Sequence, residues 1–211
     1  MTRFVFATCN ATPEIQPSDA VVRDALVARG AVVDVAPWNG PREAFEGADA
    51  VVLRSTWDYQ HGPAAFQEWL GHCAQRQEVL NPLPLVKWNL SKRYLLSLAE
   101  LGAPLPPTQP IAADPASIMA VMDDMGLGLA VVKPEYGATA SGLSIVERSD
   151  ADSLNRAAQS LAMPGLIQPL LSEVSTRGET SFIFIDSDFW QAVSMRRECG
   201  VVRWGRGGGG G

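Results

Sequence analysis

Residues 131–146 read VVKPEYGATASGLSIV. A β-rich run carries Lys133 into a loop that holds Gly137, Ala138, Thr139, Ala140, Ser141 and Gly142, and a second β-rich run follows. Glycine and small side chains let backbone N–H groups approach an anion, and a lysine ammonium neutralises it. No G-x-x-x-x-G-K-[ST] stretch occurs, and this loop joins two strands instead of opening a helix, so it is not a Walker A loop. A β-hairpin with an incidental lysine satisfies the same pattern. Around it the spacing predicts a helix at 115–126 capped by Asp114, a helix at 150–162 and a short strand at 166–171. Two antiparallel strands then follow, Thr180 to Ile185 and Phe189 to Met195, turned by Asp186, Ser187 and Asp188. Together these make a compact α+β part.

The preceding part alternates differently. RFVFAT (3–8), AVVDVAPW (31–38) and AVVLRST (50–56) are apolar runs, the last near-continuous as in a buried parallel strand. Between them, 17–30 has helical spacing, with Ser18 or Asp19 able to cap it and Gly30 able to stop it. PREAFEGAD (41–49) reads as a short helical turn. Residues 62–77 form an amphipathic helix with Phe66, Trp69, Leu70 and Cys73 on one face. Strand, helix, strand, helix implies a right-handed parallel sheet. VLNPLPLVKWN (79–89) holds two prolines and is expected to be an extended crossing segment without helix. A helix from about Leu90 to Leu101, closed by Gly102, is expected next, then the proline-rich connector APLPPTQPI (103–111).

The chain has 211 residues, a mean hydropathy of +0.03 and a net charge of −6, with 17 Lys plus Arg against 23 Asp plus Glu. An acidic chain without a basic cluster argues against nucleic acid as a ligand, and a small anion needs only a few cations. Cys9, Cys73 and Cys199 are isolated, and His61 and His72 do not complete a zinc set, so scattered reduced thiols are expected. MTRFVFATCN is read as a strand and not as a secretory leader. No apolar run approaches the roughly 20 residues that span a bilayer. The expectation is a cytoplasmic protein with no membrane and no nucleic-acid partner. The glycines at 207–211 are read as a flexible terminus, a cloning scar or a sequence artefact.

Other stretches carry potential chemistry. Lys92 in NLSKRYL is expected in the first turn of a helix, as a solvated residue or as a second phosphate-binding cation beside Lys133. LIQPLL is interrupted at Pro169, so Gln168, Pro169 and Leu170 leave backbone groups able to bond an adenine edge. Glu173 can accept from ribose hydroxyls, and Glu179 can face the same cleft; surface acids at a strand end fit equally. LRSTWDYQ places Arg54 at the carboxyl end of a parallel strand, where ligand crevices lie. An arginine there clamps a substrate carboxylate through two N–H bonds, or pairs with an acid of the chain itself.

In this order, NPLPLVKWNLSKRYLLSLAELGAPLPPT (81–108), VVKPEYGATASGLSIV and LIQPLLSEVSTRGETSFIFIDSDFWQAVSM (166–195) resemble the ATP-grasp superfamily. Within it the chain is similar to the branch related to bacterial glutathione synthetase and the ribosomal-protein glutamate ligases. LRSTWDY followed by NPLP is most similar to the cyclo-ligase family that closes O-ureido-D-serine into D-cycloserine. The likeness spans about Arg3 to Met195. It implies an α/β fold: a Rossmann-like parallel sheet (the pre-ATP-grasp domain, 1–103), a lid subdomain (104–165) and a partial last α+β subdomain (166–211). By position, Lys92 and Lys133 resemble the nucleotide-binding lysines and Glu135 to Gly142, with Gly137, Ser141 and Gly142, the glycine-rich flap. Gln168, Pro169 and Leu170 resemble the adenine hinge, and Glu173 the ribose acceptor.

The resemblance implies ATP, Mg²⁺ and a small amino-acid-like carboxylate as partners. It implies a ligase that phosphorylates the carboxylate and couples the acylphosphate to an amine, or a nucleotide-binding fragment without catalysis. In the superfamily Mg²⁺ is held by late acidic residues, often with an asparagine. RRECGVVRWGRGGGGG (196–211) reads unlike those strands, and Asp186 and Asp188 lie on a turn. The Mg²⁺ ligands are therefore not expected in this sequence, and the last subdomain is expected to be truncated.

Overall fold

The computed structural model describes residues 1–137, 142–185, 187–198 and 201–206. Ser141 and its neighbours 138–140, Asp186, Cys199 and the glycine run 207–211 lie outside the described residues. The chain divides into two compact units, Met1–Gln168 and Pro169–Gly211.

In the first unit β1 (Arg3–Thr8), β2 (Val32–Pro37), β3 (Ala50–Leu53) and β4 (Glu78–Leu80) form a parallel sheet in the order β2-β1-β3-β4. Val5 lies opposite both Asp34 and Val51, and Val52 opposite Leu80. The chain runs from β1 to one side and then returns to the other. The carboxyl ends of β1 and β3 therefore flank a topological switch point, where α/β sheets open a crevice.

Helices α1 (Pro17–Val27) and α2 (Pro63–Ala74) connect these strands. On α2, Phe66, Trp69, Leu70 and Cys73 are buried, the face that 3.6-residue spacing predicts. Phe66 is the hub of an aromatic cluster, edge-on to Trp38 at 4.9 Å, stacked on Trp69 at 5.4 Å and 5.5 Å from Tyr59. Gly30 ends the α1 connection at φ +87°, as its role as a stop requires. Neither Ser18 nor Asp19 caps α1: Gln16 is the N-cap and makes no side-chain bond. Asp19 is instead buried, because Arg54 provides its carboxylate with a cationic partner.

The segment after β4 corrects the sequence reading. An α-helix, α3 (Leu83–Leu90), stands where an extended crossing was expected. Pro82 is its N-cap and Pro84 lies in its first turn. The first N–H groups of a helix have no intrahelical acceptor, so a proline there loses nothing and its fixed φ suits the helix. Ser91 is extended and ends α3, so the next helix, α4 (Tyr94–Glu100), begins later than expected. Lys92 consequently lies in the turn between two helices and not in a first helical turn.

A second sheet in the same unit has the order β5-β8-β6-β7, from β5 (Gln109–Ile111), β6 (Leu129–Pro134), β7 (Ser144–Glu147) and β8 (Gly165–Pro169). β6 and β7 pair antiparallel, with Ala130 opposite Val146. α5 (Pro115–Asp124) and α6 (Ala151–Ser160) cover it, burying Ile118, Met122, Leu154 and Ala157 on Ala130, Val132, Val146 and Ile167. Asp114 caps α5 by accepting from the Ser117 N–H at 2.8 Å, as its position predicts.

The second unit holds α7 (Ser172–Arg177) and an antiparallel sheet of β9 (Glu179–Ile185), β10 (Asp188–Glu198) and β11 (Val201–Arg206) in the order β11-β10-β9. β11 carries the ladder into the stretch 196–211, with Arg203 opposite Arg196. β-branched valines beside a long partner strand extend the ladder despite the glycines that follow. Among the described residues no helix is long and apolar enough to cross a membrane.

Cys9 and Cys73 are free, buried thiols. Burial pushes the Cys73 thiol up to about 11, against a smaller opposing effect of Arg42 and Arg76. An unfolded thiol ionises near 8.5. Between about pH 8.5 and 11 the unfolded chain loses this proton while the folded chain keeps it, so stability falls as pH rises. Urea titrations at pH 7, 9 and 10.5 are expected to show a loss on the order of 2 kcal/mol that Cys73→Ala lacks. An identical pH slope in the variant contradicts this.

Candidate functional site

The site is built on the end of β6. Val132 and Ala130 point into the core, so strand alternation turns Lys133 to the opposite face. Its Nζ donates to Gln168 Oε1 on the neighbouring β8 at 2.5 Å. The Gln168 amide, 6% exposed, donates in turn to Thr108 Oγ1 at 2.7 Å, and Thr108 donates to the Pro106 carbonyl at 2.8 Å. This relay orients the buried amide, with its oxygen toward the cation and its NH₂ toward Thr108.

Lys92 reaches the same place from the α3–α4 turn. Its backbone N–H donates to the Glu135 carbonyl at 2.8 Å, and its Nζ donates to the Gly137 carbonyl at 2.6 Å. Burial holds the Lys92 ammonium below the usual lysine range, and the charge of nearby Lys133 pushes it further down. Two cations are therefore brought together at the root of the small-residue loop. Gly142, on the far side of that loop, has φ +74°, and a Cβ there would lie 3.1 Å from the Pro134 ring. Ser141 is outside the described residues.

Gly165 was not singled out by sequence. A Cβ there would stand 2.5 Å from the Lys133 carbonyl oxygen and 3.1 Å from Leu161. Only a glycine lets β8 approach β6 closely enough for Gln168 to meet Lys133. Its signal in the sequence is slight, a glycine opening an apolar strand after a proline.

Arg54 follows β3 at the switch point and holds Asp19: its Nε donates to Asp19 Oδ1 at 2.9 Å, and Nη2 bonds the same oxygen. Ser55 Oγ lies 3.5 Å from Asp19 Oδ2. Gln16, Ser18 and Trp57 are among the residues that line an open cavity of about 600 Å³ around this pair. The carboxylate on Arg54 is thus one from its own chain, the alternative that sequence leaves open. A second cavity of about 320 Å³ lies beyond Leu53, between Tyr59, Phe66, Asn81 and Asn89.

Pro169 ends β8, and Leu170 is exposed. Glu173 lies in the first turn of α7 and Glu179 opens β9, both exposed and both within the second unit.

Residues 4–81 match the family described as the N-terminal domain of D-cycloserine synthetase DcsG. The cycloserine biosynthesis protein DcsG of Streptomyces lavendulae is 30% identical over 171 residues, 78% of this chain and 57% of that protein. The crystal structure of D-cycloserine synthetase DcsG superposes with a TM-score of 0.82 at 26% identity, covering 96% of this chain and 71% of that one. The chain is similar to D-cycloserine synthetase, and its fold is that of the ATP-grasp ligases. The RimK domain ATP-grasp protein of Sphaerobacter thermophilus (TM-score 0.68, 14% identity, 92% and 72% covered) shares the ATP-grasp fold. So does the D-alanine–D-alanine ligase of Bacillus anthracis (0.65, 17%, 93% and 65%). This chain spans just over half the length of the Streptomyces relative.

Proposed function

We propose that this chain binds ATP at the Lys92–Lys133 pair and serves an ATP-dependent carboxylate–amine ligase or cyclo-ligase acting on a small amino-acid-like substrate. The observation that supports this reading is the convergence of the two ammonium groups at the root of the glycine-bearing loop. We read 1–103 as the Rossmann-like domain, 104–165 as the lid and 166–211 as part of the last subdomain.

The chemistry follows from leaving groups. A carboxylate resists attack by an amine because an oxide would have to leave. In the proposed reaction its oxygen attacks the γ-phosphorus of ATP, the bond to the β,γ-bridging oxygen breaks, and ADP departs. An amine nitrogen then attacks the acyl carbon of the acylphosphate. The C–O bond to phosphate breaks, phosphate leaves, and the nitrogen loses a proton. In a cyclo-ligase the nitrogen belongs to the same substrate.

Lys92 and Lys133 hold phosphate oxygens and neutralise charge as it shifts to the leaving ADP. Lys92 Nζ donates to a backbone carbonyl and Lys133 Nζ to an amide oxygen, neutral acceptors that a phosphate oxygen outcompetes. Gln168, Pro169 and Leu170 are assigned to the adenine edge, Glu173 and Glu179 to the ribose side, and Gly137, Ser141 and Gly142 to the backbone over the phosphates. Arg54 is assigned to the substrate carboxylate, which would take its guanidinium from Asp19.

Mg²⁺ accompanies ATP in such chemistry. Among the described residues no group of three or more His, Cys, Asp or Glu side chains is placed to hold a metal ion. The described donor set does not fit a shared Mg²⁺ site, and no step is assigned to one.

Thermal unfolding with and without ATP and Mg²⁺ tests the reading. Ligand at 100 times its dissociation constant adds about 2.7 kcal/mol. A shift accompanied by phosphate release that depends on an added amino acid supports the ligase. A shift without phosphate release selects the non-catalytic nucleotide-binding fragment, and no shift overturns both.

A further inference from the structure

Lys92 and Lys133 sit on different elements, a turn between two helices and the end of a strand in the other sheet. Two such cations act on one polyphosphate only if something fixes their separation. Glu135, two residues beyond Lys133, is bonded to three consecutive residues of that turn. Its carboxylate accepts from Ser91 Oγ at 2.7 Å and from Arg93 Nε at 3.1 Å, and its carbonyl accepts from the Lys92 N–H at 2.8 Å. Ser91 Oγ also accepts from the Arg93 N–H at 3.2 Å, which closes the turn on itself. The Glu135 N–H donates to the Pro164 carbonyl at 3.3 Å, just ahead of Gly165 on β8.

We propose that Glu135 is a positioning residue: it clamps the 91–93 turn to the end of β6 and so sets the Lys92 ammonium beside Lys133. The proposal rests on the polyphosphate-binding reading of these lysines. An acid two residues from a phosphate-binding lysine repels an anion unless its own charge is engaged. Here the carboxylate is 15% exposed and occupied by Ser91 and the Arg93 guanidinium. The residue therefore supplies a fastening and presents little free negative charge to the ligand. Hydrogen bonds to charged groups are the stronger class, and both ends of this fastening are short-range and directional.

The test compares Glu135→Ala and the isosteric Glu135→Gln with the unmodified chain, titrated with ATP and with adenosine. The clamp predicts a loss of about tenfold in ATP affinity for Glu135→Ala. It predicts a smaller loss for Glu135→Gln, which keeps the Ser91 contact, and an unchanged adenosine affinity in both. In a Lys92→Ala background Glu135→Gln is expected to cost nothing further, because its effect passes through Lys92. An equal loss for ATP and adenosine, or full additivity with Lys92→Ala, overturns the proposal.

A second measurement needs no nucleotide. Hydrogen–deuterium exchange of the Lys92 backbone N–H, which donates to the Glu135 carbonyl, is expected to run several-fold faster in Glu135→Ala. An unchanged rate overturns the clamp whether or not ATP binds. Failure of the unmodified chain to bind ATP, with the rate increase present, overturns the polyphosphate reading and leaves the clamp standing.

Discussion

Lys133→Ala is expected to remove most of the thermal stabilisation that ATP confers. The ammonium stands at the end of β6 with its direction set by Gln168, and Gln168 is in turn locked by Thr108. A cation held this way loses little freedom when it meets a phosphate, so its charge acts at nearly full strength. Hydrogen bonds to charged groups contribute about 1.5–3 kcal/mol each, and a triphosphate offers several acceptors. Removing the group should weaken ATP by about 100-fold, which at fixed nucleotide concentration removes most of a shift of about 2.7 kcal/mol. The comparison is the shift itself, since the variant also leaves the Gln168 amide oxygen without this donor. An ATP-induced shift equal to that of the unmodified chain would show that Lys133 does not contact the nucleotide.

The second large effect is structural and lies one strand away. Gly165→Ala forces a methyl group to within 2.5 Å of the Lys133 carbonyl oxygen, far inside contact distance, with Leu161 closing the other side. The obstacle is backbone in a sheet, not the tip of a flexible side chain, so β8 must move away from β6. Overpacking of this kind costs typically 1–3 kcal/mol, and this position is expected at the upper end, about 3 kcal/mol, in urea unfolding. Moving β8 also carries Gln168 away from Lys133, so ATP affinity is expected to fall with stability. A variant as stable as the parent would mean that the β6–β8 spacing is looser than the structure has it.

Both effects depend on features that sequence shows unevenly. The hairpin-bearing stretch 131–146 was legible because it combines two local signals, β-branched runs and a cluster of small residues. The buried face of α2 was legible for the same reason, since Phe66, Trp69, Leu70 and Cys73 repeat at helical intervals. The prolines of 79–89 misled, because a proline breaks a helix interior but suits a helix start, and which of the two applies depends on where the helix begins. Asp19 looked like a cap because it stands near the start of α1. Burial beside Arg54 outweighed that local role, and Arg54 is 35 residues distant in the chain.

Local periodicity and turn chemistry thus settle most of the strands and helices, and the order of Lys92, Lys133 and a glycine-bearing loop carries the resemblance to ATP-grasp ligases. Those signals span a few residues, and they are written in side-chain size, branching and backbone freedom. The partners of the charged groups were decided by the tertiary structure alone: Asp19 for Arg54, Gln168 for Lys133, and Ser91 and Arg93 for Glu135. Electrostatic and hydrogen-bonding preferences name only the kind of partner a group wants. Which one it finds is set by how the packed sheets and helices bring distant segments within about 3 Å of each other.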